Sequence, residues 1–98
     1  LERIRAIFER DEAKEICRRY DVQRLGVFGS TARNEATEAS DIDLLVSFAR
    51  AKGFVDFITL EEKLAQLLAR EVDLVSEKGL HPSMREEALR ELQIVHVS

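Results

Sequence analysis

Phe28-Gly29-Ser30-Thr31-Ala32-Arg33 and, after a polar stretch, Ser40-Asp41-Ile42-Asp43-Leu44-Leu45-Val46 decide how this chain folds. Val22 to Phe28 includes Leu25, Val27 and Phe28 and reads as a short strand stopped by Gly29. Ser30 to Arg33 opens a helical turn, and Asn34 to Ser40 is a polar loop. Asp41 to Phe48 reads as a second strand, more apolar after its first three residues.

Upstream, residues 1–20 carry Ile4, Ile7, Phe8, Ile16, Cys17 and Tyr20 among many charges. That is a helical stripe, weakest around Glu9 to Glu12, where a break or bend is expected. Downstream, Arg50 to Gly53 leads into the clearest helix, Phe54 to Arg70, with Phe57, Leu60, Leu64 and Leu68 at helical spacing. Glu71 to Val75 reads as a third strand. Pro82 suits the first turn of a helix running to about Leu92, and Ile94 to Val97 reads as a final strand. The order α-β-short α-β-α-β-α-β makes this an α/β (α+β) chain.

The 98 residues fit one domain, residues 1–98, and a hydrophobic content of 45% is ample for a packed core. The chain starts at Leu1 without Met, so a few leading residues are expected to be missing. With 19 acidic against 15 basic residues the net charge is −4, and no run of five Lys or Arg exists. No dedicated nucleic-acid surface is expected from that balance. An acidic protein still binds a polyanion such as ATP if metal ions sit between them. Cys17 is the only cysteine, so no internal disulfide forms, and its setting is that of a small buried hydrophobe. No apolar run approaches ~18 residues and no signal peptide is visible, so the chain reads as cytoplasmic, with no membrane among its partners.

The chemistry rests on a few residues. A Gly29-Ser30 turn between a strand and a helical turn exposes backbone N–H groups at a positive helix end, a cradle for phosphate. A glycine that merely ends a strand is the plainer alternative. Residues two apart in a strand share a face, roughly 6.5–7 Å apart, so Asp41 and Asp43 project together. Paired carboxylates repel and ionise less willingly unless a cation lies between them, and Asp is a poor strand former. A hard divalent ion with oxygen ligands gives such a pair a reason to exist. The alternative is that both acids are exposed loop residues before the strand begins. Asp73, in Val72-Asp73-Leu74-Val75, repeats the oddity. If its strand neighbours the one bearing Asp41 and Asp43, three carboxylates converge and with a triphosphate can hold two Mg²⁺. Alone, Asp73 reads more readily as a solvent-facing acid on an edge strand. His81 and His96 lie far apart and are expected in a surface loop and at a sheet edge. Arg18, Arg19 and Arg24 form a small basic patch, expected to be solvated.

Taken together, Gly29-Ser30, Asp41-Ile42-Asp43 and Asp73 in this order resemble the DNA polymerase β-type nucleotidyltransferase superfamily. Within it, Phe-Gly-Ser-x-Ala-Arg, Ser-Asp-x-Asp-Leu-Leu-Val and Val-Asp-Leu-Val are similar to the minimal nucleotidyltransferases (MNT) of prokaryotes, from about Val22 to Val95. The resemblance implies a nucleotidyltransferase fold, a mixed sheet of about four strands flanked by helices, with the site at one sheet end. It implies that Gly29 and Ser30 contact the triphosphate and that Asp41 and Asp43 bind both metals. Asp73 would bind the catalytic metal and help deprotonate the acceptor, while Arg33 would lie near the phosphates or brace the loop. One departure is visible: Asn34 stands where such proteins usually have Gly. Asn tolerates left-handed backbone angles, so the turn is expected to survive.

What the resemblance implies about activity is transfer of AMP from ATP, with Mg²⁺, to a hydroxyl. The family commonly acts beside a small helical HEPN-type protein, as the antitoxin of a toxin–antitoxin pair, and modifies a tyrosine of that partner. Two other readings stand beside it: an antitoxin that works by contact alone, and a small-molecule nucleotidyltransferase, for which 98 residues leave little room. The apolar stripe of the helix from Phe54 is richer than one buried face requires, so a homo-oligomer or a partner interface is expected.

Overall fold

The computed structural model describes residues 1–37 and 39–98; position 38, within the expected polar loop 34–40, lies outside the described residues. The elements are α1 (Glu2–Phe8), α2 (Asp11–Arg19), β1 (Val22–Phe28), α3 (Gly29–Ala32), β2 (Ile42–Phe48), α4 (Phe54–Leu68), β3 (Val72–Ser76), a 3₁₀ turn (Glu77–Gly79), α5 (Pro82–Glu91) and β4 (Gln93–Val97). The first helical stretch does break where its stripe is weakest. Arg10 is extended (φ −71°, ψ 147°) and starts α2, with Asp11 and Glu12 at its positive end and Arg18 and Arg19 at its negative end.

Several boundaries differ from expectation, among them the start of β4 at Gln93 rather than Ile94. β2 begins at Ile42, leaving Asp41 just outside the strand. α4 ends at Leu68 rather than Arg70, because Ala69 turns left-handed (φ 54°). The Ala69 N–H bonds to the Gln66 carbonyl (3.3 Å) and the Arg70 N–H to the Ala65 carbonyl (3.2 Å), the two bonds of a Schellman stop. β3 is shifted by one residue, to Val72–Ser76.

The sheet order is β3-β2-β1-β4. β1 runs antiparallel to both β2 and β4, while β2 and β3 are parallel and are joined by the α4 crossover that a parallel pair requires. The two faces have different fates because side chains alternate along each strand. Leu25, Val27, Ile42, Leu44, Val46 and Leu74 pack with Ile4, Phe8, Ala13, Cys17, Leu60 and Leu64 from α1, α2 and α4. Full burial of one such Leu stabilises by about 1.5–3 kcal/mol. On the opposite face Gly26 pairs with Leu45. There the Leu92 side chain lies so close to Gly26 that a Cβ would overlap it, which brings the end of α5 against β1.

Both outer strands carry a plug from a helix. Arg5 of α1 donates from Nη1 to the Ile94 carbonyl of β4 (2.8 Å). On the other side the Leu74 N–H of β3 donates to Glu61 Oε2 of α4 (2.8 Å).

Candidate active site

Asp43 and Asp73 meet near the start of β2, with Asp41 close enough for its charge to be felt by Asp43. In the sheet register Asp43 lies between Phe28 of β1 and Asp73 of β3. Directly paired residues on neighbouring strands stand about 4.8 Å apart, so the two carboxylates rise side by side from one face. By alternation that face is the one bearing Leu45 and Gly26, opposite the helix-packed core. The location explains how acids survive in apolar strands: each points away from the core at a strand end. Asp73 is exposed on an edge strand, as its plainer reading held, and is nonetheless Asp43's partner. Asp41 is exposed just before the strand, whereas Asp43 is half-buried within it.

Electrostatics register this crowding. Burial, then the charges of Asp73 and Asp41, raise the Asp43 carboxyl above its ordinary pKa, with Arg33 pulling the other way. Arg70, just past α4, braces the loop that delivers Asp41: its Nη2 donates to the Thr37 carbonyl (3.0 Å) and to the Ser40 carbonyl.

Gly29 begins α3 with φ +71°, a left-handed angle, and the Asp43 carboxylate occupies the space a Cβ would need. The turn is closed by the Glu35 N–H donating to the Ser30 carbonyl (2.9 Å) and by Thr31, which is buried. Asn34 adopts φ +59°, so the departure from Gly leaves the turn intact. Arg33 points to two carboxylates, donating from Nε to Glu35 Oε2 (3.0 Å) and from Nη1 to Glu91 Oε1 (2.8 Å). Glu91 also accepts from the Gly29 N–H through Oε2 (3.3 Å). Neither Glu91 nor Arg70 carried a signal in the sequence. Each sits at or beyond a helix end, and only the folded chain brings it to the turn.

Among the described residues no three His, Cys, Asp or Glu side chains close into a ready-made metal cage. Mg²⁺ is a metal that keeps several waters and is held by one or two carboxylates plus substrate phosphates, so the Asp43 and Asp73 pair has donor chemistry that it takes. All-oxygen donors beside a turn that offers N–H groups to phosphate fit that coordination. The histidines lie elsewhere in the fold. His81 caps α5, accepting from the Ser83 N–H (3.1 Å), and His96 is in the edge strand β4. Arg24 is half-exposed and pairs with Glu77 at 2.5 Å, a partner that the expected basic patch did not include. A cleft of about 320 Å³ lies at the far end of β2, between Phe48, Phe54, Phe57 and Lys78, remote from the acids along the strand. Phe54 (80%) and Val55 (74%) are exposed beside it.

The chain matches the nucleotidyltransferase domain family over residues 10–95. It is 42% identical to the protein adenylyltransferase MntA of Thermococcus cleftensis, across 97% of this chain and 95% of that protein. Among solved structures it is similar to a minimal nucleotidyltransferase, with 42% identity, a TM-score of 0.74, and coverage of 94% of this chain and 88% of that one. The fold alone is shared with the structure of a tri-AMPylated Shewanella oneidensis HEPN toxin in complex with MNT antitoxin, at 21% identity and a TM-score of 0.66, covering 90% and 69% of the two chains. A glycine turn, paired acids on adjacent strands and a relative alike over nearly its whole length all say the same thing: the chain belongs to the nucleotidyltransferase domain family.

Proposed function

We propose that this chain is a metal-dependent protein adenylyltransferase that moves AMP from ATP onto a tyrosine hydroxyl of a HEPN-type toxin, serving as its cytoplasmic antitoxin. The observation that carries the reading is the register of Asp43 against Asp73, with Asp41 two residues before and the Gly29 turn beside them. The adenylyltransferase name of the Thermococcus cleftensis relative supports AMP as the group moved, and the Shewanella oneidensis complex supports a HEPN protein as acceptor.

Asp41, Asp43 and Asp73 would hold two Mg²⁺, which when bound neutralise phosphate charge and lower the pKa of an incoming hydroxyl. The protein's own work is alignment. Gly29 and Ser30 orient the triphosphate through the turn, and Arg33 adds a guanidinium to its oxygens. Asp73, exposed on the edge strand, faces the side from which an acceptor arrives and takes the hydroxyl proton. The acceptor oxygen then bonds to the α-phosphorus as the bond to pyrophosphate breaks. A tyrosine suits this step because its hydroxyl titrates near 10. The exposed Phe54 and Val55 supply apolar surface for association with the partner or a second copy.

The test is intact mass spectrometry of the HEPN-type neighbour after incubation with the chain, ATP and Mg²⁺. Gain of one or more AMP units on tyrosine is expected. An unmodified partner, under conditions where ATP binding is demonstrated, would replace this reading with an antitoxin acting by contact.

A further inference from the structure

Two of the donors that would hold the triphosphate, the Gly29 N–H and the Arg33 guanidinium, are already engaged by an internal carboxylate. Glu91, the last residue of α5, spans the Gly29 N–H with Oε2 (3.3 Å) and the Arg33 guanidinium with Oε1 (2.8 Å). A two-oxygen anion that bridges a backbone N–H and a guanidinium makes the contacts two phosphate oxygens would make there. We propose that Glu91 is a gate on the nucleotide site, a tethered stand-in for phosphate that nucleotide must displace. The inference rests on the nucleotide-binding reading of the Gly29 turn.

Three features make the contact a gate rather than a permanent brace. The backbone just after Glu91 is anchored, since Gln93 is paired with Val27 in the sheet, so release needs only a side-chain rotation and not a movement of α5. Arg33 keeps its second carboxylate, Glu35 (3.0 Å), when Glu91 leaves, and therefore stays at the turn to meet the phosphates. Arg33 is also 43% exposed and Glu91 21% exposed, so the bridge has a path to water from the Arg33 side. A site that is closed most of the time shows an affinity reduced by the fraction of time it is open.

The experiment is calorimetric titration of the full chain with Mg·ATP, with inorganic tripolyphosphate and with adenosine, for wild type, Glu91→Gln and Glu91→Ala. Glu86→Gln, an exposed α5 change, serves as control. Opening a gate that is shut nine-tenths of the time tightens binding about tenfold. Both Glu91 variants should therefore gain about that factor for Mg·ATP and tripolyphosphate, with adenosine unchanged and Glu86→Gln like wild type. Equal or weaker binding of the phosphate ligands by folded Glu91 variants overturns the gate while leaving the nucleotide site in place. Absence of Mg·ATP binding in wild type and variants alike overturns both. A measurement on the unaltered chain guards against variants that fail to fold. The Glu91 side-chain carboxyl ¹³C resonance should move on saturation with tripolyphosphate, and a resonance that stays still while phosphate binds overturns the proposal.

Discussion

The Asp43 carboxylate fills the space into which any side chain on Gly29 would project, and Gly29 itself holds φ +71°. The two positions are locked together: the acid can stand at the turn only because the turn has no Cβ. Gly29→Ala should thus lose stability by about 1–2 kcal/mol from the left-handed angle alone. Displacement of Asp43 should weaken Mg·ATP binding as well. A denaturant titration and a calorimetric titration check the two effects, and an Ala variant as stable as wild type would contradict the lock.

Asp43 also sets a pH dependence. Its carboxyl is raised by burial and by Asp73 and Asp41, so its folded pKa lies above the unfolded value of about 3.9. The stabilising contribution of the protonated form is complete below about pH 4 and is lost as pH rises through the folded value. Asp43→Asn should melt higher than the ligand-free wild type at pH 7, with the gap closing toward pH 4. Mg·ATP at a hundredfold over Kd should stabilise wild type by about 2.7 kcal/mol and do little for the variant. Thermal melts across pH, with and without Mg·ATP, test both statements.

Asp73→Asn should divide binding from transfer. Asp41 and Asp43 remain to hold one ion against the triphosphate, so nucleotide affinity should change by only a few-fold. AMP transfer should fall by about a hundredfold or more, because acceptor activation is worth several kcal/mol and each ~1.4 kcal/mol is tenfold in rate. Parallel affinity and single-turnover measurements would refute the division if both quantities fell together.

Ala69 stops α4 in a left-handed conformation that glycine adopts without strain. Ala69→Gly relieves about 1–2 kcal/mol of backbone strain, offset in part by the freer unfolded chain, for a net gain of about 0.5–1 kcal/mol. Chemical denaturation measures it; a less stable variant would show that Ala69 contributes packing its exposure does not reveal.

Much of this was legible in the sequence because the signals were local. β1 ends at Phe28 where Gly29 interrupts an apolar run, and Pro82 opens α5, since both residues act on their own backbone. The three acids were visible as misfits in apolar strands, but nothing in the chain order says which strands adjoin. The parallel pairing of β2 with β3 set Asp43 directly beside Asp73, with Asp41 two residues before it. Long-range polar contacts were illegible for the same reason. Glu91 reaches Gly29 and Arg33 from the far end of α5, and Arg70 holds the Thr37 and Ser40 carbonyls from just past α4. A lone Glu or Arg at a helix end looks like any solvated charge until tertiary structure supplies its partner.

The plugs on the outer strands decide how this protein can keep company. A guanidinium against β4 and a carboxylate against β3 each take one backbone group that a foreign strand would need, which disfavours growth of the sheet at its edges. Helix faces, loops and the acidic end stay open to a partner, surfaces that meet and part without any backbone being rethreaded. That favours complexes that can be taken apart and rebuilt, and it keeps a small acidic particle from seeding fibres. Removing both plugs with Arg5→Ala and Glu61→Ala should convert a well-behaved particle into one that stains with thioflavin on concentration, and a double variant that stays dispersed would show the edges are guarded by something else.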